Sequence, residues 1–124
     1  MNVKYHVALS GSNFDPKPLS NLSLETKVLI TDINSAGDIG LKGRYKNKPY
    51  DFGYVCLQSK DNGLDDLLSF LSREAVSLIV EQAESRELHL CIGYENQCNW
   101  EFTVEEISKM HALQLILTLT CYRI

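Results

Sequence analysis

No apolar run in this 124-residue chain reaches the roughly 20 residues that a membrane-spanning helix needs, so a membrane span is not expected. Proline and glycine are sparse, at three and seven residues, too few for a linker-rich or disordered chain. Histidine is as scarce as proline, at three residues: His6, His89 and His111 are the only side chains suited to general base work near neutral pH. No His-x-His or His-Glu-x-x-His spacing points to a metal, and no Ser or Cys stands in a recognisable nucleophile turn. Gly-x-Gly-x-x-Gly and Walker loops are also missing. Gly37, Gly40 and Gly43 keep a three-residue spacing, but no helix pattern follows whose N-terminus would hold a phosphate, so they read as a loop. These absences lead to an expectation of no catalytic residues, no metal and no cofactor, hence no enzyme. One catalytic alternative stays open. His6 and His89 fall on the polar phases of two strands and could share a face, as a small enzyme with a histidine base would require.

Cysteine is present but unpatterned. Cys56, Cys91, Cys98 and Cys121 include no Cys-x-x-Cys, and Cys56, Cys91 and Cys121 lie inside apparent strands. They read as small buried or half-buried thiols. Cys91 and Cys121 could face one another on neighbouring strands, a pairing of interest only in an oxidising compartment. The opening residues break at once into alternation and offer no apolar signal-peptide core. The expected location is therefore cytoplasmic, and the Asn21-Leu22-Ser23 sequon carries no meaning there.

What the chain does contain is the patterning of one soluble domain over residues 1–124, with 44% hydrophobic and 23% charged residues. Val3, Tyr5, Val7 and Leu9 alternate with polar neighbours, predicting a first strand stopped at Gly11. Asp15-Pro16 has helix-start chemistry, an N-cap acceptor followed by a residue with no N–H to satisfy, and predicts a short helix over about 16–22. A β-branched run over 26–33 predicts a second strand, and 34–40 a loop. Residues 41–58 look like two strands turning near Asn47-Lys48-Pro49. Asp61-Asn62-Gly63 is a turn that opens a helix, in which Leu64, Leu67, Leu68 and Leu71 make one apolar stripe. The helix is expected to continue to about 84 with a kink or break near Ser72. Leu88, Leu90, Ile92 and Tyr94 form a strand, and Thr103 with Glu106 a capping box that starts a helix. The final segment, apolar at Leu115, Ile116, Leu117 and Leu119, reads as a central strand covered on both sides. The order β-α-β-β-β-α-β-α-β implies an α+β fold, with a mostly antiparallel sheet of about six strands and two or three helices mainly on one face.

Charge is unevenly spread beneath a formal net charge of −4. Residues 61–106 hold eleven carboxylates against Arg73 and Arg86, whereas residues 1–60 hold eight cations against five acids. The acidic tract runs through the long helical region and on to Trp100, the single tryptophan, in a loop with Glu95, Asn96, Gln97, Asn99 and Glu101. A concentrated negative surface beside an aromatic anchor suits a basic protein partner. A competing reading uses Lys42, Arg44, Lys46 and Lys48, which interleave with Tyr45, Tyr50, Phe52 and Tyr54 like a single-strand nucleic-acid platform. The acidity of the chain opposes it, and no nucleic acid is expected as partner.

The chain also resembles a small, largely uncharacterised bacterial α+β domain family, some of whose members are grouped with the immunity proteins of contact-dependent inhibition and polymorphic toxin systems. The shared features are a first strand followed by Gly11-x-x-Phe14-Asp15-Pro16, and a Lys42-Gly43 step before an aromatic strand. A strand ending at Tyr94 then leads through a short helix to a terminal strand closing on Thr120-x-Tyr122. The resemblance implies a cytoplasmic inhibitor that binds a cognate protein toxin domain without chemistry of its own. Many such toxins are nucleases, whose surfaces are basic, so an acidic inhibitor would fit. Asp65, Asp66, Glu81, Glu84, Glu95, Trp100 and Glu101 are the expected partner-binding residues, on a monomer or weak homodimer with no membrane contact.

Overall fold

The structure, a computed structural model, describes residues 2–61 and 63–124. Its elements are β1 (Asn2–Gly11), α1 (Leu19–Leu22), β2 (Val28–Asn34), β3 (Gly53–Ser59), α2 (Leu64–Leu71), α3 (Glu74–Val80), β4 (Ser85–Tyr94), α4 (Val104–Ala112) and β5 (Ile116–Arg123). The strands stand side by side in the order β2-β3-β1-β4-β5. Every neighbouring pair is antiparallel except β4 and β5, which run parallel and are joined through α4, the crossover that a parallel pair requires. This is the expected α+β class, a mostly antiparallel sheet carrying several helices.

Alternation decides which face the helices cover. Tyr5, Val7 and Leu9 of β1, Val55 and Leu57 of β3, and Leu88, Leu90 and Ile92 of β4 are all buried and form one cluster. The stripe of α2 (Leu64, Leu67, Leu68, Leu71) closes on it, with Val76 and Val80 from α3 and Met110 and Leu113 from the α4 end. Each fully buried Leu removes enough apolar surface from water to contribute about 2 kcal/mol. On the opposite sheet face His6, Ala8, Cys56, His89 and Cys91 stay half-exposed, with no helix over them among the described residues.

The predicted break near Ser72 is present. Its hydroxyl donates to the Leu68 carbonyl at 2.7 Å, ending α2, and the extended backbone of Arg73 (φ −62, ψ 141) starts α3. The capping box at α4 is also present: Glu106 N donates to Thr103 Oγ1 at 3.1 Å, and Thr103 N to Glu106 Oε1 at 2.8 Å. In the predicted turn at 61–63, Asn62 lies outside the described residues.

Three expectations are corrected. Residues 41–47 form no strand, so the sheet has five strands. The connection from β2 to β3 is a long loop with one 3-10 turn at Gly43–Tyr45, and the rings of Tyr45, Tyr50 and Phe52 pack on one another there. Alternation of cations with Gly43 and Tyr45 mimicked a strand, but no neighbouring strand pairs with it. The helix after Asp15-Pro16 is shorter than expected, Leu19–Leu22 with Pro18 as its N-cap; the Asp15 carboxylate still accepts from Lys17 N at 3.2 Å. Finally, β5 is an edge strand. Its apolar residues on both phases suggested cover on both sides, yet Ile116 is 58% and Leu119 56% exposed. One side of β5 pairs with β4 and the other ends the sheet.

The Gly11-x-x-Phe14 punctuation has a packing reason. Gly11 pairs with Gly53 across β1 and β3, and the chain leaves β1 directly over that pair. A Cβ on Gly53 would sit 1.8 Å from the Phe14 carbonyl oxygen, while the Phe14 ring is buried at 2% exposure.

Candidate functional site

At the N-terminal end of β1 the elements enclose an open cleft of about 760 Å³. Asn2, Val3 and Tyr5 form its floor, Asp61, Gly63, Leu64, Asp65 and Asp66 one wall, and Trp100 and Glu106 the other. Among the described residues, four carboxylates line it and no cationic side chain does. The apolar stripe sets the rotation of α2, which turns Asp65 outward and leaves Asp66 half-exposed. Both acids also sit in the first turn of a helix whose N-cap, Gly63, supplies no side-chain acceptor, so they answer the positive end of the helix. The capping box aims Glu106, whose Oε1 is already held by Thr103 N. Lys27 reaches Asp61 from outside, at 4.0 Å between two exposed side chains, a distance that offsets little of the charge.

The aromatic part of the cleft is Trp100 against Tyr5, ring centroids 5.9 Å apart and planes inclined at 58°. Trp100 is 41% exposed, whereas Tyr5 is buried. Burial first, then the charges of Glu106 and Asp65, push the Tyr5 hydroxyl pKa up to about 12. The negative potential in the cleft therefore shows in a neighbouring group.

The seven residues expected to bind a partner do not form one patch. Asp65, Asp66 and Trp100 come together in the cleft, and Glu95 and Glu101 stand exposed in the loop that carries Trp100. Glu81 and Glu84 lie elsewhere. Glu84 receives Ser12 N at 2.9 Å and Ser12 Oγ at 2.6 Å, and these bonds hold its carboxyl below the usual range. Ser12 follows the far end of β1, about 30 Å from Asn2 at ~3.3 Å per residue. Glu84 thus fastens the end of β1 to the turn before β4. Conversely, Asp61, Glu106 and Tyr5 join the cleft unannounced. The two acids were legible as a turn residue and a capping-box residue, which says nothing of what they face, and Tyr5 read as an ordinary strand residue of the buried phase.

On the bare sheet face His6 and His89 do share a surface, being register partners with rings stacked 4.9 Å apart. Burial, then the nearby His89, lower the His6 pKa. The His89 ring is held at both nitrogens, Nδ1 by Thr118 Oγ1 at 2.5 Å and Nε2 by Thr120 Oγ1 at 3.1 Å. A base so engaged is oriented by hydroxyls and has no carboxylate bonded to it, unlike the base–carboxylate pairs of nucleophilic catalysis. Among the described residues no group of three His, Cys, Asp or Glu side chains is placed to hold a metal ion. No helix there is long and apolar enough to cross a membrane.

The chain matches no family model, no curated protein and no solved structure. The cleft must be read from its own residues. Carboxylates spread around an aromatic wall, too dispersed for a bare metal ion, suit an extended organic cation such as an arginine or lysine side chain.

Proposed function

We propose that this protein is a non-catalytic inhibitor that captures a basic protein partner in the acidic cleft, and that the partner is a cognate bacterial toxin domain. The observation carrying the first half is the convergence of Asp61, Asp65, Asp66 and Glu106 around Trp100 and Tyr5. Cationic side chains entering there meet carboxylates on two walls and the face of a partly exposed indole, which attracts cations by about 0.5–2 kcal/mol. Negative potential at the mouth speeds encounter with a positive surface, and contacts inside the cleft slow dissociation. The second half comes from the resemblance to immunity proteins. A nuclease toxin is basic because its substrate is a polyanion, and an acidic cleft imitates that substrate. Such an inhibitor acts in the cytoplasm, as a monomer or weak homodimer, without cofactor or nucleic acid.

The loop with Lys42, Arg44, Lys46 and Lys48 is less suited to a ligand. Tyr45 stacks on Tyr50 at 4.9 Å and Phe52 meets both edge-on at 5.7 Å, so these rings are already occupied as partners.

The test is to identify the reading frame upstream of this chain's and to titrate the C-terminal domain of its product against the protein by calorimetry, at low and high salt. Replacing Asp61, Asp65 and Asp66 by Lys should weaken binding by roughly 100-fold and flatten its salt dependence. Glu81→Lys, at the C-terminal end of α3 and outside the cleft lining, should leave both nearly unchanged. Affinity indifferent to the cleft variants, or turnover of a small molecule by the purified protein, overturns the proposal.

A further inference from the structure

Cys98 and Cys121 lie with their sulfurs 3.5 Å apart, though one sits in a loop and the other on the edge strand. Cys91 is not the neighbour that strand order suggested for Cys121. Cys91 pairs with Thr120 and Cys121 with Ile92, so the two thiols point to opposite faces of the sheet. Cys121 shares the helix-side face with Ile92, and the loop 95–103 crosses that end of the sheet, bringing Cys98 over it. Among the described residues, no backbone hydrogen bond involves 95–102. Side chains hold the loop: Phe102 and Cys98 packed on the core, and Trp100 on Tyr5.

We propose that Cys98 and Cys121 are a redox-controlled pair, closing to a disulfide that fastens the loop bearing Trp100 to β5. An S–S bond is about 2.05 Å long, so the sulfurs need approach by only about 1.5 Å, within reach of side-chain rotation and a loop free of backbone bonds. The oxidant is a low-molecular-weight disulfide such as oxidised glutathione. Cys121, the exposed thiol, attacks it as thiolate; the glutathione S–S bond breaks, and one glutathione leaves and takes up the proton. The Cys98 sulfur then attacks the Cys121 sulfur, and the second glutathione leaves as a thiol with the Cys98 proton. Two protein thiols lose two electrons, and one oxidised glutathione gains them. Burial, then the hydrogen bond with Cys121, raise the Cys98 pKa, which suits the order of attack.

Cys56 and Cys91 are excluded from this chemistry by the sheet. They pair with Ala8 and Lys4 from opposite sides of β1, so a whole strand separates them, about 9–10 Å at the usual strand spacing. Bridged cysteines need Cα atoms within about 7 Å. Formation of the bond does not depend on what the cleft binds, although it fixes one wall of that cleft.

The experiment is to incubate the purified chain with oxidised glutathione, alkylate the remaining thiols, and digest it without reductant using trypsin and a glutamate-specific protease. Cleavage after Glu95 and Glu101 isolates Cys98 from Cys91. The expected product joins residues 96–101 to 110–123, with Cys56 and Cys91 alkylated. Its Tm should lie roughly 5–10 °C above that of the reduced chain, and acrylamide should quench Trp100 less. Cys98→Ser should stop at a glutathione adduct on Cys121. A stable glutathione adduct in the unmutated chain, a Cys121–Cys121 dimer, or a bond through Cys56 or Cys91 would each overturn the proposal.

Discussion

Trp100 rests 5.9 Å from Tyr5, and Tyr5 in turn lies under the charges of Glu106 and Asp65. The one tryptophan therefore reports directly on the group that senses the cleft's potential. Tyr5 should titrate near 12 rather than 10, seen as quenching of Trp100 emission when tyrosinate forms. Asp65→Asn with Glu106→Gln should lower that midpoint, since Gln still accepts in the capping box. It should stay above 10, because burial is the largest cause. The sign for stability follows: a raised folded pKa keeps its contribution below pH 10 and loses it as pH rises toward 12. A midpoint unmoved by the double substitution would show that the two carboxylates do not act on Tyr5.

His6 gives the opposite sign. Its folded pKa is lowered from 6.5 by burial and by His89, so the unfolded chain binds the extra proton first as pH falls. Its contribution to stability is complete above pH 6.5 and declines as the pH drops below that value. Chemical denaturation across this range should show that loss, and His6→Gln should flatten it. Equal slopes for both proteins would show that His6 is not the group responsible. His89 and Glu87 of β4 and Lys4 of β1 share the face, so the comparison isolates His6 only when they are left intact.

Gly53→Ala tests the crossing of the chain over β3. The added methyl would meet backbone, the Phe14 carbonyl oxygen at 1.8 Å, and backbone cannot rotate aside as a side chain can. A loss of about 3 kcal/mol, at the upper end for overpacking, is expected in urea denaturation. Gly37→Ala, where nothing lies within 4 Å, meets only the strain of φ 92 and should lose about 1 kcal/mol. A ranking in the reverse order would refute this account of Gly53.

Thr103→Ala removes one half of the capping box and should lower stability by about 1 kcal/mol. It should also loosen Glu106 at the cleft wall, so the Tyr5 midpoint should shift slightly as well. A stability change without that shift would separate the cap from the cleft.

Local pattern alone determined a good deal about this protein. Period-2 alternation marked β1 and β4 with their buried faces, the leucine stripe marked α2, and Thr103 with Glu106 marked the start of α4. Each of these signals lies within a few residues of chain, where backbone geometry fixes which side chains point together. The strand expected at 41–47 failed because alternation shows only that a strand could be half-buried, and pairing needs a neighbour that the fold did not place there. For β5 the error was of the same kind: apolar residues on both phases do not reveal whether one or two strands lie alongside. Tertiary structure alone decided the site. Asp61, Asp65 and Asp66 meet Glu106, Trp100 and Tyr5 only because α2 and the loop before α4 both end over the start of β1. The same packing sent Glu84 to Ser12 at the other end of the strand and brought Cys98 to Cys121. Charge composition records how many carboxylates a segment has; their positions depend on packing that brings residues as much as 104 apart in sequence, such as Asn2 and Glu106, to line one cleft.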